Sequence, residues 1–151
     1  MPSSIHEIKL NAPISNVWEF IANFNSWAPL MPGYIEHEIK NEEEATWIFL
    51  ADLGFAKKKV KLQVDKITKT EQVKISFYLN SVEDHFDGNG YFQIETCEEG
   101  MTNLIGSLEL SSGGFMGVIV NNVLKSFVPK TTEELVIRMG EIIKEKTWST
   151  R

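Results

Sequence analysis

The sequence predicts an α+β chain: a curved antiparallel sheet of about seven strands wrapped around a long C-terminal helix, with two short helices after the first strand. Three observations predict it. Apolar and polar residues alternate in short runs from Ile5 to Leu10 and again between Tyr34 and Leu110. The period becomes helical just after the first of these runs. It becomes helical again after Gly113 and Gly114, and then holds for about thirty residues.

Taken in order, Ile5 to Leu10 is the first strand. In NAPISNVWEFIANF the residues Ile14, Val17, Trp18 and Ile21 share one helical face, and Pro13 sits where a helix start tolerates proline. Asn23 to Leu30 continues as a second short helix, which Pro29 and Pro32 keep from lengthening. Six strands follow, parted by the turn signals KNEEE, DLG, TKTEQ, DGNG and CEEG. In EQVKISFYLN, Val73, Ile75, Phe77 and Leu79 take one face, and Lys74, Ser76 and Tyr78 the other. TWIFLADLG is apolar on both, since Trp47 and Phe49 alternate with Ile48 and Leu50. That marks a strand covered on both sides or one in a subunit contact. The last helix carries the stripe Val120, Val123, Leu124, Phe127, Leu135, Met139, Ile142 and Ile143. Pro129 is expected to kink or divide it, and KTTEEL offers a fresh start beyond. A curved sheet does not close fully on one helix, so a cavity between them is expected within a single domain over residues 1–151.

Composition narrows the function. A chain of 151 residues, 42% hydrophobic and 11% aromatic, can bury a real core. Its net charge of −6 excludes a general nucleic-acid binder, which needs a basic field to meet phosphate. The basic run of Lys57, Lys58, Lys59 and Lys61 opens a strand, where it guards an edge against sheet-to-sheet pairing. No apolar run reaches the roughly 20 residues of a transmembrane helix, which leaves peripheral contact as the one membrane mode open. Cys97 has no cysteine partner, and the N-terminus lacks the layout of a signal peptide, so the cytoplasm is the expected compartment.

Few motifs suggest chemistry. SSGGFMG, Ser111 to Gly117, follows a strand and opens a helix, yet lacks the spacing of a dinucleotide turn; it reads as a flexible joint, able to act as a lid. HFDGNG, His85 to Gly90, approaches a calcium loop but places Thr96 where a bidentate glutamate is required, so it reads as a hairpin turn. Cys97 lies in the acidic stretch TCEEG, which disfavours a thiolate, and the three histidines lack metal-ligand spacing. No metal, cofactor or catalytic set is therefore expected. His6 shares a strand face with Ile8 and Leu10, and His37 with Ile35 and Ile39, so each finishes a core or rim or gives a cavity a polar handle.

The first strand with NAPISNVWEFIANFNSWAPLMPGY, the DLGFAKKKVKLQV hairpin, the GNGYF strand and the GGFMG joint together resemble the SRPBCC (START-like, helix-grip) superfamily. Within it they are most similar to the carbon monoxide dehydrogenase G-subunit family. The resemblance covers nearly the whole chain and places Pro32, Gly33, Gly54, Gly113 and Gly114 at backbone positions of the fold. It implies a deep hydrophobic cavity used for lipids, sterols, polyketides and other apolar ligands. For the G-subunit family it further implies membrane association of a molybdenum dehydrogenase and quinone handling.

For the cavity wall the apolar faces supply Trp27, Met31, Trp47, Phe49, Phe77, Leu79, Phe92, Leu108, Met116, Val120 and Leu124, with His6 and His37 as polar handles. Trp27 and Met31 are expected at the mouth, as a gate that repacks around varied ligands. The leading expectation is a non-catalytic carrier of a hydrophobic small molecule. One alternative is a cyclase, dehydratase or hydrolase using His6, His37 or Glu95. The other is a recruitment factor or homodimer that meets its partner through Ile48 and Leu50.

Overall fold

Alternation of side chains along the strands produces a seven-stranded antiparallel sheet, ordered β1-β7-β6-β5-β4-β3-β2. The computed structural model describes residues 2–81, 83, 85–98, 100–114 and 117–145. In chain order the elements are β1 (Ser3–Leu10), α1 (Ile14–Ile21), α2 (Phe24–Trp27), a 3-10 turn over Ala28–Leu30, and β2 (Tyr34–Asn41). Then come β3 (Glu44–Asp52), β4 (Lys57–Thr70), β5 (Lys74–Ser81), β6 (Phe86–Glu98), β7 (Met101–Ser112) and α3 (Gly117–Glu145).

Register shifts between Tyr34 and Glu36, Ile39 and Asn41, Asp65 and Thr68, and Thr96 and Glu98 bend the strands. Each extra residue increases the local twist, and the bends accumulate into a sheet that curls towards one face. That face holds the core, from Trp47 and Phe49 on β3 to Leu104 and Leu108 on β7. α1 adds Val17, Phe20 and Ile21 to it.

The second half of α3 seats tightly on β1 and β7. A methyl group on Gly106 of β7 would come within 2.4 Å of Val136, and one on Gly140 within 2.5 Å of Ile8. Glycine at both contacts lets helix and sheet approach where no side chain would fit. The first half of α3, before Pro129, leans over β3 and β4 instead, and the space beneath it is the cavity described below.

Three expectations are corrected. DGNG is no turn: Asp87 to Gly90 lie inside β6, and the reversal precedes them, between Ser81 and Phe86. Close packing explains the glycines, because a methyl group at Gly88 would lie 2.0 Å from the Glu109 carbonyl oxygen and one at Gly90 would lie 2.7 Å from the Phe77 ring. Pro129 does not divide α3, which runs from Gly117 to Glu145. Its ring faces solvent, where the Lys125 carbonyl deprived of an amide partner can meet water. Val73 leaves the inner face as well, since it ends the β4–β5 turn and is 45% exposed.

Candidate functional site

The cavity opens beneath the N-terminal half of α3 and holds about 160 Å³. One wall comes from strands β3 and β4, through Phe49, Ala51 and Val60. Leu53 and Phe55 extend it into the loop between them, and Phe86 and Leu110 close it from β6 and β7. The roof is the helix face that carries Ile119, Val120, Val123, Leu124 and Phe127. Lys58 is the one charged residue among these, which fits its place on the exposed opening turn of β4. Such a lining binds by exclusion of water.

Inward, the cavity narrows to a pinch of about 20 Å³ lined by Met31, Trp47, Leu62, Leu79, Leu108, Val128 and Thr131. Phe49, Leu110 and Phe127 border both spaces, so the pinch adjoins the inner side of the cavity. Beyond it stands a cluster of rings. Trp47 lies 5.4 Å from Trp27 and 5.5 Å from Phe24, both nearly edge to face, and Trp27 stacks on Phe77 at 5.6 Å. Both indoles are pinned: Trp27 Nε1 donates to the Ile21 carbonyl at 2.9 Å and Trp47 Nε1 to the Ala28 carbonyl at 3.0 Å. On the far side a second hollow of about 240 Å³ opens between α2, β4 and the β2–β3 turn, with Phe24, Trp27 and Phe77 in its lining.

The structure thus divides the predicted wall into groups. Phe49, Val120 and Leu124 line the cavity, and Met31, Trp47, Leu79 and Leu108 join Phe49 around its inner end. Trp27 and Phe77 line the second hollow, and Phe92 packs in the core with its ring 4.8 Å from Trp27. Met116 lies outside the described residues. Trp27 and Met31 are not at a mouth, being 1% and 3% exposed. Both side chains pack into the buried core instead. Leu53, Phe55, Val60, Phe86, Leu110 and Ile119 went unnoticed in the sequence. Only Phe55 left a signal, as a large apolar residue stranded between a glycine and the lysine run.

The two histidines do not meet. His6 stands on β1 and His37 on β2, the opposite edges of the sheet, and neither lines a cavity described here. His37 is held at both ring nitrogens: the Tyr34 hydroxyl lies 2.8 Å from Nδ1 and the Asn25 Oδ1 lies 2.7 Å from Nε2. The amide oxygen can only accept, so Nε2 carries the proton and Nδ1 accepts from the tyrosine. Burial lowers its pKa below the usual 6.5, which keeps the ring neutral. Glu95 is exposed on β6, on the face opposite Phe92 and Ile94. The acid–base set of His6, His37 and Glu95 is therefore not assembled. Nor is the SSGG joint loose where it is described, since Gly113 donates to the His85 carbonyl at 3.0 Å and Gly114 abuts the His85 ring.

A protein-family model matches residues 1–146, and the chain belongs to the family it defines. No curated protein matches the chain by sequence. Among solved structures the chain is similar to the ZhuI aromatase/cyclase from Streptomyces sp. R1128, with a TM-score of 0.74 and 14% identity over 98% of this chain and 96% of that one. It is similar to a START superfamily protein from Mycobacterium smegmatis, with a TM-score of 0.66 and 14% identity over 95% and 97% of the two chains. A protein from Thermus thermophilus gives 0.72 and 15% over 94% and 97%. At these identities the likeness is one of fold, and the fold is the START-like helix-grip.

Proposed function

From the START-like fold of this chain, we propose that it binds and carries a hydrophobic small molecule in the cavity beneath the N-terminal half of α3. The lining carries this reading: apolar side chains from four strands and a helix converge on one enclosed space, with Lys58 as their only charge. Apolar contact alone does not suffice. A ligand burying on the order of 200 Å² gains about 5 kcal/mol, equivalent to a dissociation constant of about 0.2 mM before association costs. Polar contact of a head group at the exposed mouth supplies the rest, so the fitting ligand is a short amphiphile with its tail inward. A fluorescence titration with anilinonaphthalene sulfonate, competed by decanoic acid, tests this. Saturable binding that weakens at least tenfold in Val120→Arg is expected. No binding, or equal binding by the variant with its fold intact, would sink the reading.

Support for the acid–base alternative is weaker, because its three side chains stand apart. The likeness to the carbon monoxide dehydrogenase G-subunit family rests on sequence motifs. It supports a quinone ring as one candidate head group and recruitment of a dehydrogenase, or of a second copy of this chain, through the exposed Leu50 side of β3.

A specific observation favours peripheral membrane contact at the cavity mouth. Phe55, Val118 and Ile119 are 78%, 88% and 59% exposed there, and Lys57, Lys58 and Lys59 adjoin Phe55 in the chain. We infer that this rim meets anionic lipid, so that a ligand passes between bilayer and cavity without crossing water.

A further inference from the structure

We propose that Trp47, backed by Trp27, is a fixed length gauge that limits the ligand to a short chain or a single ring with a short tail. This deepens the carrier reading and rests on it. The main cavity holds about 160 Å³ and its inner end about 20 Å³. An apolar cavity of about 150 Å³ suffices for benzene. Beyond the inner end lies a further 240 Å³ hollow, yet the two spaces share no lining residue. What divides them is two rings thick: Trp47 borders the near side, and Trp27, 5.4 Å away, borders the far side.

That partition is built to stay. Each indole donates to a buried backbone carbonyl, on Ala28 and Ile21, and freeing either ring would leave a buried donor unpaired. Trp27 and Trp47 are 1% and 0% exposed, so water cannot take over the bond that either would lose. A tail entering from Lys58 therefore meets a wall, and further methylenes must stay outside in water. Long-chain lipids and multi-ring polyketides do not fit within this partition, which selects by excluding them.

Isothermal titration with the saturated fatty acids from hexanoic to hexadecanoic tests the gauge. Wild-type affinity is expected to rise about fourfold per methylene up to a break near octanoic or decanoic acid, and then to stay flat. Trp47→Ala is expected to move the break to longer acids, raising dodecanoic affinity about tenfold over wild type. Trp47→Leu makes the same test with a smaller cavity should the alanine variant fail to fold. Leu108→Phe fills the inner end from the opposite side, and should move the break to shorter acids. Breaks that coincide in wild type and all folded variants overturn the gauge, as does a wild-type affinity that rises through hexadecanoic acid. Wild type binding none of the acids overturns the carrier reading and the gauge with it; binding with an unmoved break overturns the gauge alone.

Discussion

His37 shows how a residue that promises chemistry in a sequence can be tied into structure. Between Tyr34 and Asn25 it acts as a neutral clasp, joining the start of β2 to α2. Because burial lowers its pKa in the folded chain, the unfolded chain binds the proton more tightly. The stability that this contributes is present above the unfolded value near 6.5. It is lost as pH falls from there through the lower folded value. A titration of the His37 ring followed by NMR is expected to show a midpoint below 6.5, with His37→Gln reducing the slope of melting temperature against pH in that window. A midpoint at or above 6.5 would contradict it. The sequence places His37 on a strand and says nothing of Asn25, twelve residues away, which decides its role.

At the scale of elements, strand alternation and the helical stripe were legible because each is local: residues two or three to four apart report which way a side chain faces. The seven strands and the long helix follow from that, whereas the pairing of β1 with β7, strands some ninety residues apart, does not. Local signals misled where a residue serves a distant neighbour. Gly88 and Gly90 read as a turn because glycine usually marks one, while here they clear space for the Glu109 carbonyl and the Phe77 ring. Gly88→Ala should therefore behave as overpacking between strands, lowering stability by about 1–3 kcal/mol in urea unfolding. A turn glycine at ordinary backbone angles would give a change near zero on the same measurement. The candidate site was half legible for the same reason. Val120 and Leu124 stand on a periodic stripe, whereas Leu53, Phe55 and Phe86 come from loop and strand ends that only the curl of the sheet brings together.

For the molecule as a whole, charge and apolar exposure are distributed unevenly. A net charge of −6 repels the chain from an anionic bilayer on average. Lys58 at the cavity mouth, with Lys57 and Lys59 beside it on β4, reverses that locally. Asp52 stands opposite Lys57 in the β3–β4 ladder. Each lysine near an anionic surface contributes about 1 kcal/mol, or about fivefold in affinity, and salt screens it within about 10 Å. Phe55 and Val118 supply an apolar term that salt does not screen. The two contributions separate in vesicle sedimentation. Binding is expected on vesicles of phosphatidylcholine with phosphatidylglycerol and absent on phosphatidylcholine alone, falling as salt rises. Lys58→Gln with Lys59→Gln should abolish the salt dependence and most of the binding. Phe55→Ser with Val118→Ser should weaken binding while leaving its salt slope in place. Equal binding to both vesicle types would mean that the lysines play no part, and no binding to either, or variants indistinguishable from wild type, would mean that the rim meets something other than lipid. Light scattering that then shows a dimer lost in Phe55→Ser would identify that partner as a second copy of the chain.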